Sequence, residues 1–214
     1  MYSPSHFQED RPEIIRDLIH HFPLATIVYQ SDKVLCAEHV PLILDLSLNP
    51  AVSMLGHVAR GNDLGRVRAD EEVLAIFQGP SLYVSPNWYA TKTDGGKVVP
   101  TWNYVVVHAT CKLHVTHDPD RLLEIVTRMT HHMEAAQPHP WRVTDAPETY
   151  IDRMLSGIVG LEFEVLRWQG KWKVSQNQPK ANQHSLVNRL LSEGSDQAKE
   201  MANVISRFGS AQQE

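Results

Sequence analysis

Tyr104-Val105-Val106-Val107-His108-Ala109-Thr110-Cys111-Lys112-Leu113-His114-Val115-Thr116 decides the fold class. Val105, Val107, Ala109, Cys111, Leu113 and Val115 make one apolar face; Tyr104, Val106, His108, Thr110, Lys112, His114 and Thr116 make the other. Successive side chains of a strand point to opposite faces, so this segment is a long strand with one buried side. Upstream, apolar runs at 24–30 and 34–40 are joined by a Ser31-Asp32-Lys33 turn. Further strands are expected near 42–46, 53–59, 73–78 and 82–85. Downstream, 158–168 and 171–175 read as a hairpin turning at Gln169-Gly170. Strands and helices do not alternate regularly, which argues against a doubly wound sheet. The expectation is a mainly β or α+β chain, a barrel with a few helices around it.

The helices have their own signals. Asp10-Arg11-Pro12-Glu13 fits a capping box opening a helix with Ile14, Ile15, Leu18, Ile19 and Phe22 on its apolar stripe, ended by Pro23. Asp118-Pro119 starts a second, with Leu122, Ile125, Val126, Met129 and Met133 inward. Asp145-Ala146-Pro147-Glu148 repeats the capping-box pattern before a short helix that ends at Gly157. The segment 182–208 reads as two helices broken at Glu193-Gly194-Ser195. A helix-turn-helix reader needs a basic open face on its second helix. Lys199, Asn203 and Arg207 are offset there by Asp196 and Glu200, which favours a packing or dimerisation arm.

Length and charge narrow the classes. The 214 residues suffice for one well-buried domain or two small ones. A net charge of -5 does not suggest a basic nucleic-acid surface. Cys36 and Cys111 fall among apolar residues and read as buried free thiols. No secretory signal or long apolar span is seen, so a cytoplasmic protein without membrane contact is expected. His114-x-x-His117 and His131-His132 lack the companions of a closed zinc site, and no metal is expected.

The richest chemistry lies in 79–108. Tyr83, Trp88, Tyr89, Trp102 and Tyr104 are interleaved there with prolines, hydroxyls and Asn residues. Each indole N–H, phenol and amide needs a partner when buried, so the mixture suits a wall for a flat polar ring better than plain core. The segments GPSLYVSPNWY (79–89) and VPTWNYVVVH (99–108) resemble those of the PaiB-type FMN-binding transcriptional regulators, relatives of the pyridoxamine-phosphate-oxidase-like split barrels. The resemblance extends from Met1-Tyr2-Ser3-Pro4-Ser5-His6-Phe7 through Gly56-His57-Val58-Ala59-Arg60 to Lys173-Val174-Ser175-Gln176-Asn177. It implies an FMN-binding split β-barrel with peripheral helices and a C-terminal helical arm. The corresponding domains are 1–178, the barrel with inserted helices, and 179–214, the helical extension. It also implies FMN as cofactor, negative control of transcription, and a homodimer with flavin at the interface.

FMN needs contact for its ring, polar partners for its ribityl chain, and cations or free N–H groups for its phosphate. The chain has no glycine-rich phosphate loop, so side chains on strands and loops must hold the phosphate. Arg60 is the first candidate, because its planar fork matches phosphate oxygens where an apolar strand meets the Gly61-Asn62 turn. A surface arginine at a strand end has the same appearance. Lys173, Gln176 and Ser175 are weaker candidates for that pocket, a solvated strand face being the alternative. His57 shares a ligand with Arg60, three positions on, only if the strand bends or turns at Gly61-Asn62, and His39 has a similar ambiguity; His39, His57 and Asn62 join the cofactor candidates on that basis, although a satisfied structural histidine is the commoner case. Ser85, Trp88, Tyr89, Thr101, Trp102 and Asn103 are assigned to the ring edge and ribityl chain, or to a subunit interface, or to both. No catalytic residue is assigned. The functional expectation is a flavin-binding regulator or sensor, with DNA or a regulatory protein as partner. The alternatives are a flavin-dependent oxidoreductase, or a haem-binding or haem-degrading split barrel using His39, His57 or His108.

Overall fold

A computed structural model describes residues 1–45, 53–68 and 71–209. The elements run β1 (Gln8–Glu9), α1 (Pro12–His21), β2 (Leu24–Ser31), β3 (Val34–Pro41), β4 (Ile43–Asp45), β5 (Ser53–Ala59), β6 (Glu72–Val84), β7 (Thr101–Thr116), α2 (Pro119–Glu134), α3 (Glu148–Ser156), β8 (Ile158–Lys173), α4 (Lys180–Glu193) and α5 (Asp196–Phe208). The strands form one sheet in the order β3-β2-β6-β7-β8-β5-β4, with β1 paired to β8. This is the expected α+β class. Residue 46 of the strand expected at 42–46 lies outside the described residues. Among the described residues, no helix is long and apolar enough to cross a membrane.

The alternation read in 104–116 holds. Val105, Val107, Ala109, Cys111 and Leu113 are buried, while Thr110, Lys112 and His114 on the other face are half-exposed. Burial pushes the Cys111 thiol up to about 12, so it is an inert core group. Cys36 is only partly buried, because β3 leaves most of its residues exposed. Asp32 and Lys33 both take positive φ, the conformation that a two-residue hairpin connection between β2 and β3 requires.

Four local expectations change. The strands expected at 73–78 and 82–85 are one strand, β6, running through Gly79-Pro80. The β2 ladder reaches only Leu74–Ile76 of β6, so the missing N–H of Pro80 removes no bond to β2. The hairpin expected at Gln169-Gly170 is also absent, since β8 is continuous from Ile158 to Lys173. Gly170 sits opposite Glu9 of β1, and a Cβ there would lie 2.3 Å from the Glu9 carbonyl oxygen. The glycine permits close approach of a strand; it does not make a turn. In the third helix Pro147 occupies the N-cap position and offers no side-chain oxygen. Asp145 instead accepts from the Arg142 N–H at 2.9 Å and closes the turn before it. At α1 the Arg11 carbonyl accepts the first helical bonds from Ile14 and Ile15, and the Arg11 N–H donates to Glu9.

The chain divides into two compact units. The first combines Met1–Ile15, Gln78–Val107 and the chain from Gln169 onward. Its helices α4 and α5 pack through Leu186, Leu190, Met201 and Ile205. Between them Gly194 takes φ 81°, the left-handed C-cap, and the Ser195 hydroxyl accepts from the Ala198 N–H at 3.2 Å to start α5. The second combines Arg16–Phe77 and His108–Trp168. In it α2 lies on the sheet through Ile43, Leu55, Ile125 and Met129. Arg121 forks onto Glu162 at 2.9 and 2.6 Å, and Arg128 onto the buried Asp45 at 2.8 and 2.7 Å. Such bidentate pairs fix the angle of a helix as well as its position.

Candidate functional site

In the first unit the end of β8 brings together groups far apart in sequence. Asn103 shares the parity of the buried valines on β7 and is 1% exposed. A primary amide there needs a partner, and its Nδ2 donates to the Ser175 hydroxyl at 3.0 Å. Ser175 is itself buried and takes φ 68°. A left-handed residue with a side chain is strained, and such strain gathers at functional sites. The Tyr89 hydroxyl is buried beside Ser175 without completing a hydrogen bond of good geometry, and burial raises its pKa from the ordinary phenol value, against a lowering influence of Ser175. Gln176 is committed to the backbone: its Oε1 accepts from the Val174 N–H at 2.8 Å and its Nε2 donates to the Trp172 carbonyl.

The other face of the same strands is aromatic and cationic. Tyr83 and Trp102 are 47% and 52% exposed, with ring centres 6.3 Å apart. Lys173 donates through Nζ to Thr101 Oγ1 at 2.5 Å and to the Trp102 carbonyl at 2.6 Å. Burial, and then the neighbouring Lys171, lower its pKa. Lys171 is 8% exposed; its Nζ donates to the Tyr2 carbonyl at 3.0 Å and lies 5.3 Å from the Tyr104 ring centre. Sequence reasoning missed Lys171 and Tyr2. The Lys171-x-Lys173 spacing, which puts both lysines on one face of the strand expected at 171–175, was the signal for Lys171.

The segment 86–93 rests on the C-terminal helices. Ser85 accepts from the Asn87 N–H at 3.2 Å and caps the turn that carries Trp88. The Ser185 hydroxyl donates to the Trp88 carbonyl at 2.8 Å and accepts from the Ala90 N–H at 3.0 Å. Asn182 Oδ1 accepts from the Thr91 N–H at 3.0 Å, and the Arg189 guanidinium lies 5.7 Å from the Trp88 ring centre. Neither Asn182 nor Ser185 carries a signal that sequence reading could have used.

The remaining candidates belong to the second unit. Arg60 follows β5; its N–H donates to the Gly157 carbonyl at 2.9 Å and its Nε to the Ser156 carbonyl at 2.7 Å. The guanidinium therefore caps the C-terminal end of α3, where a cation is favoured. Asn62 Oδ1 accepts from the Leu64 N–H at 2.9 Å and starts the next turn. His57 has a buried Nδ1 without a partner, and burial lowers its pKa. On the same face of β5 the Ser53 hydroxyl is likewise buried and unpartnered. His39 is exposed on β3, opposite Thr26.

The first unit fits the three demands of FMN. Tyr83 and Trp102 offer flat surface, Thr101, Asn103, Ser175 and the unpartnered Tyr89 hydroxyl offer polar partners, and Lys173 offers a cation. Bound FMN would supply reversible redox chemistry there. The protein's part there would be to stack the ring and orient it.

The fold is of the α+β class, built among the described residues on one eight-stranded sheet. Two solved structures share the fold: the FAD and heme binding protein from Mycobacterium smegmatis, with a TM-score of 0.58 and 14% identity over 88% of this chain and 80% of that one, and the flavocytochrome Anf3 from Azotobacter vinelandii, with a TM-score of 0.56 and 10% identity over 78% and 69%. In sequence, the family described as "Putative FMN-binding domain" matches residues 1–167. The protease synthase and sporulation protein PAI 2 of Bacillus subtilis (strain 168) is 31% identical over 206 residues, covering 96% of each chain. The chain belongs to this PaiB-type FMN-binding family, and FMN is the cofactor that membership assigns.

Proposed function

We propose that the protein is an FMN-based sensor that exerts negative control on transcription as a homodimer. The observation that carries this reading is the attachment of α4 to the aromatic segment through Asn182 and Ser185. A ring resting against that segment bears on the helical arm through these bonds. Oxidised and reduced flavin differ in charge and in hydrogen-bonding pattern. If they bind two arm positions unequally, the arm's equilibrium follows the redox state. The arm lies beyond the residues matched by the family model, so it is the part of this chain suited to carry an output. A relative named for protease synthesis and sporulation supports a role in control. The exposed pair Tyr83 and Trp102 supports a second copy as the cover of that face.

The test follows hydrogen exchange across 180–208 in flavin-free protein, with oxidised FMN, and with FMN reduced by dithionite. Protection that differs between the two redox states is expected, with a dimer in sedimentation. Identical exchange in all three states would remove the sensor reading and leave FMN binding intact. Promoter DNA retained selectively at physiological salt would assign direct DNA contact; retention lost with modest salt would assign the output to a protein partner.

A further inference from the structure

We propose that Lys171 and Lys173 form the site for the phosphate monoester of the flavin, with the Met1-Tyr2-Ser3 segment as its rim. The inference rests on the FMN reading above and names the residues for its anionic end. Lysine is almost never fully buried without a partner. Yet Lys171 is nine-tenths buried against a single backbone carbonyl and the rings of Tyr2 and Tyr104. Among the described residues no carboxylate pairs with either lysine. An ammonium carries three donors. Lys171 spends one on Tyr2, while Lys173 spends two on Thr101 and Trp102. Donors therefore remain on both.

The two side chains are two positions apart on β8, so they leave the same face, with Cα atoms about 6.6 Å apart. Like charges this close disfavour each other; burial first, and Lys171 second, lower the pKa of Lys173. A dianion between them removes the conflict, and the Thr101 hydroxyl adds a further polar group. The rim has a vacancy of its own kind: the Ser3 hydroxyl, one residue from the Tyr2 carbonyl that Lys171 holds, is buried without a partner. The Met1 ammonium is anchored to Gln169 Oε1 at 3.2 Å, which keeps this segment beside β8. Arg60, the sequence's first candidate, already caps α3.

The test compares FMN with riboflavin, which lacks the phosphate, by flavin fluorescence on the full chain. Wild type should prefer FMN strongly, and inorganic phosphate should compete with FMN but not with riboflavin. Lys171→Met and Lys173→Met should each reduce that preference about tenfold or more, the worth of a charge-assisted bond, with riboflavin affinity unchanged. Lys173→Arg should restore most of it. Lys173 is partly exposed, so its variant carries the test even if Lys171→Met does not fold. An FMN preference that survives in Lys173→Met overturns the lysine site and leaves the flavin reading standing. Failure of wild type to bind either flavin overturns both.

Discussion

Ser175 concentrates two opposed contributions. Its left-handed backbone costs about 1–3 kcal/mol for a residue with a side chain, while its hydroxyl satisfies the buried Asn103 amide. Separating them takes two substitutions. Ser175→Ala keeps the backbone strain and strands Asn103, so it should destabilise by about 1–3 kcal/mol. Ser175→Gly strands Asn103 equally but releases the strain, so it should retain more stability than the alanine variant. Urea midpoints of the two variants check the order, and alanine proving the more stable would mean that the backbone at 175 is not strained. The polar and aromatic residue types at 101–103 stood out in the sequence. Their partner did not, because Asn103 and Ser175 are 72 positions apart and only the fold brings them together.

At the scale of elements, β8 was the strand least legible in sequence. A Gln-Gly pair between apolar runs has the same appearance whether the chain turns or continues, and what decides it is the approach of β1 from residues 8 and 9. The long alternation of β7 was legible because one buried face against one wetter face is a local, repeating requirement. The break between α4 and α5 was legible for a similar reason, since Gly194 and Ser195 supply a C-cap and an N-cap at adjacent positions. The continuous strand makes a definite prediction at Gly170. An alanine Cβ would meet the Glu9 carbonyl oxygen at 2.3 Å and the Trp172 ring at 2.9 Å. Backbone must move to relieve the first contact, so Gly170→Ala should cost about 1–3 kcal/mol. It should also loosen the N-terminal segment, read as faster hydrogen exchange at residues 8–11. A hairpin turn at 169–170 would tolerate alanine far better, so unchanged stability would contradict the continuous strand.

For the whole molecule, pH sets two effects against each other. The chain carries a net charge of -5 with its 12 histidines neutral, so protonating the first few brings it to zero and weakens its self-repulsion, while protonating the rest makes it cationic and restores that repulsion. That effect alone would stabilise the fold over the first part of an acidification from pH 7.5 and oppose it afterwards. Burial acts the other way. His57, His108 and His132 all have pKa values lowered, in each case chiefly by desolvation. In the unfolded chain they protonate near the ordinary value of about 6.5, whereas in the fold they resist. The unfolded state then binds more protons, and stability falls as pH falls. The contribution is fully present above the unfolded value, declines as pH drops through it, and levels off below the depressed folded values. At physiological salt the screening length is about 8 Å, which suppresses the diffuse charge effect far more than local desolvation. Urea midpoints should therefore fall steadily from pH 7.5 to 5.5. His57→Leu should flatten that slope, because the buried Nδ1 has no protein partner to lose. Saturating FMN at about 100 times its Kd should add about 2.7 kcal/mol by mass action. Midpoints that rise on acidification would mean that net charge outweighs the buried histidines, and an unchanged slope in His57→Leu would remove that residue from the account.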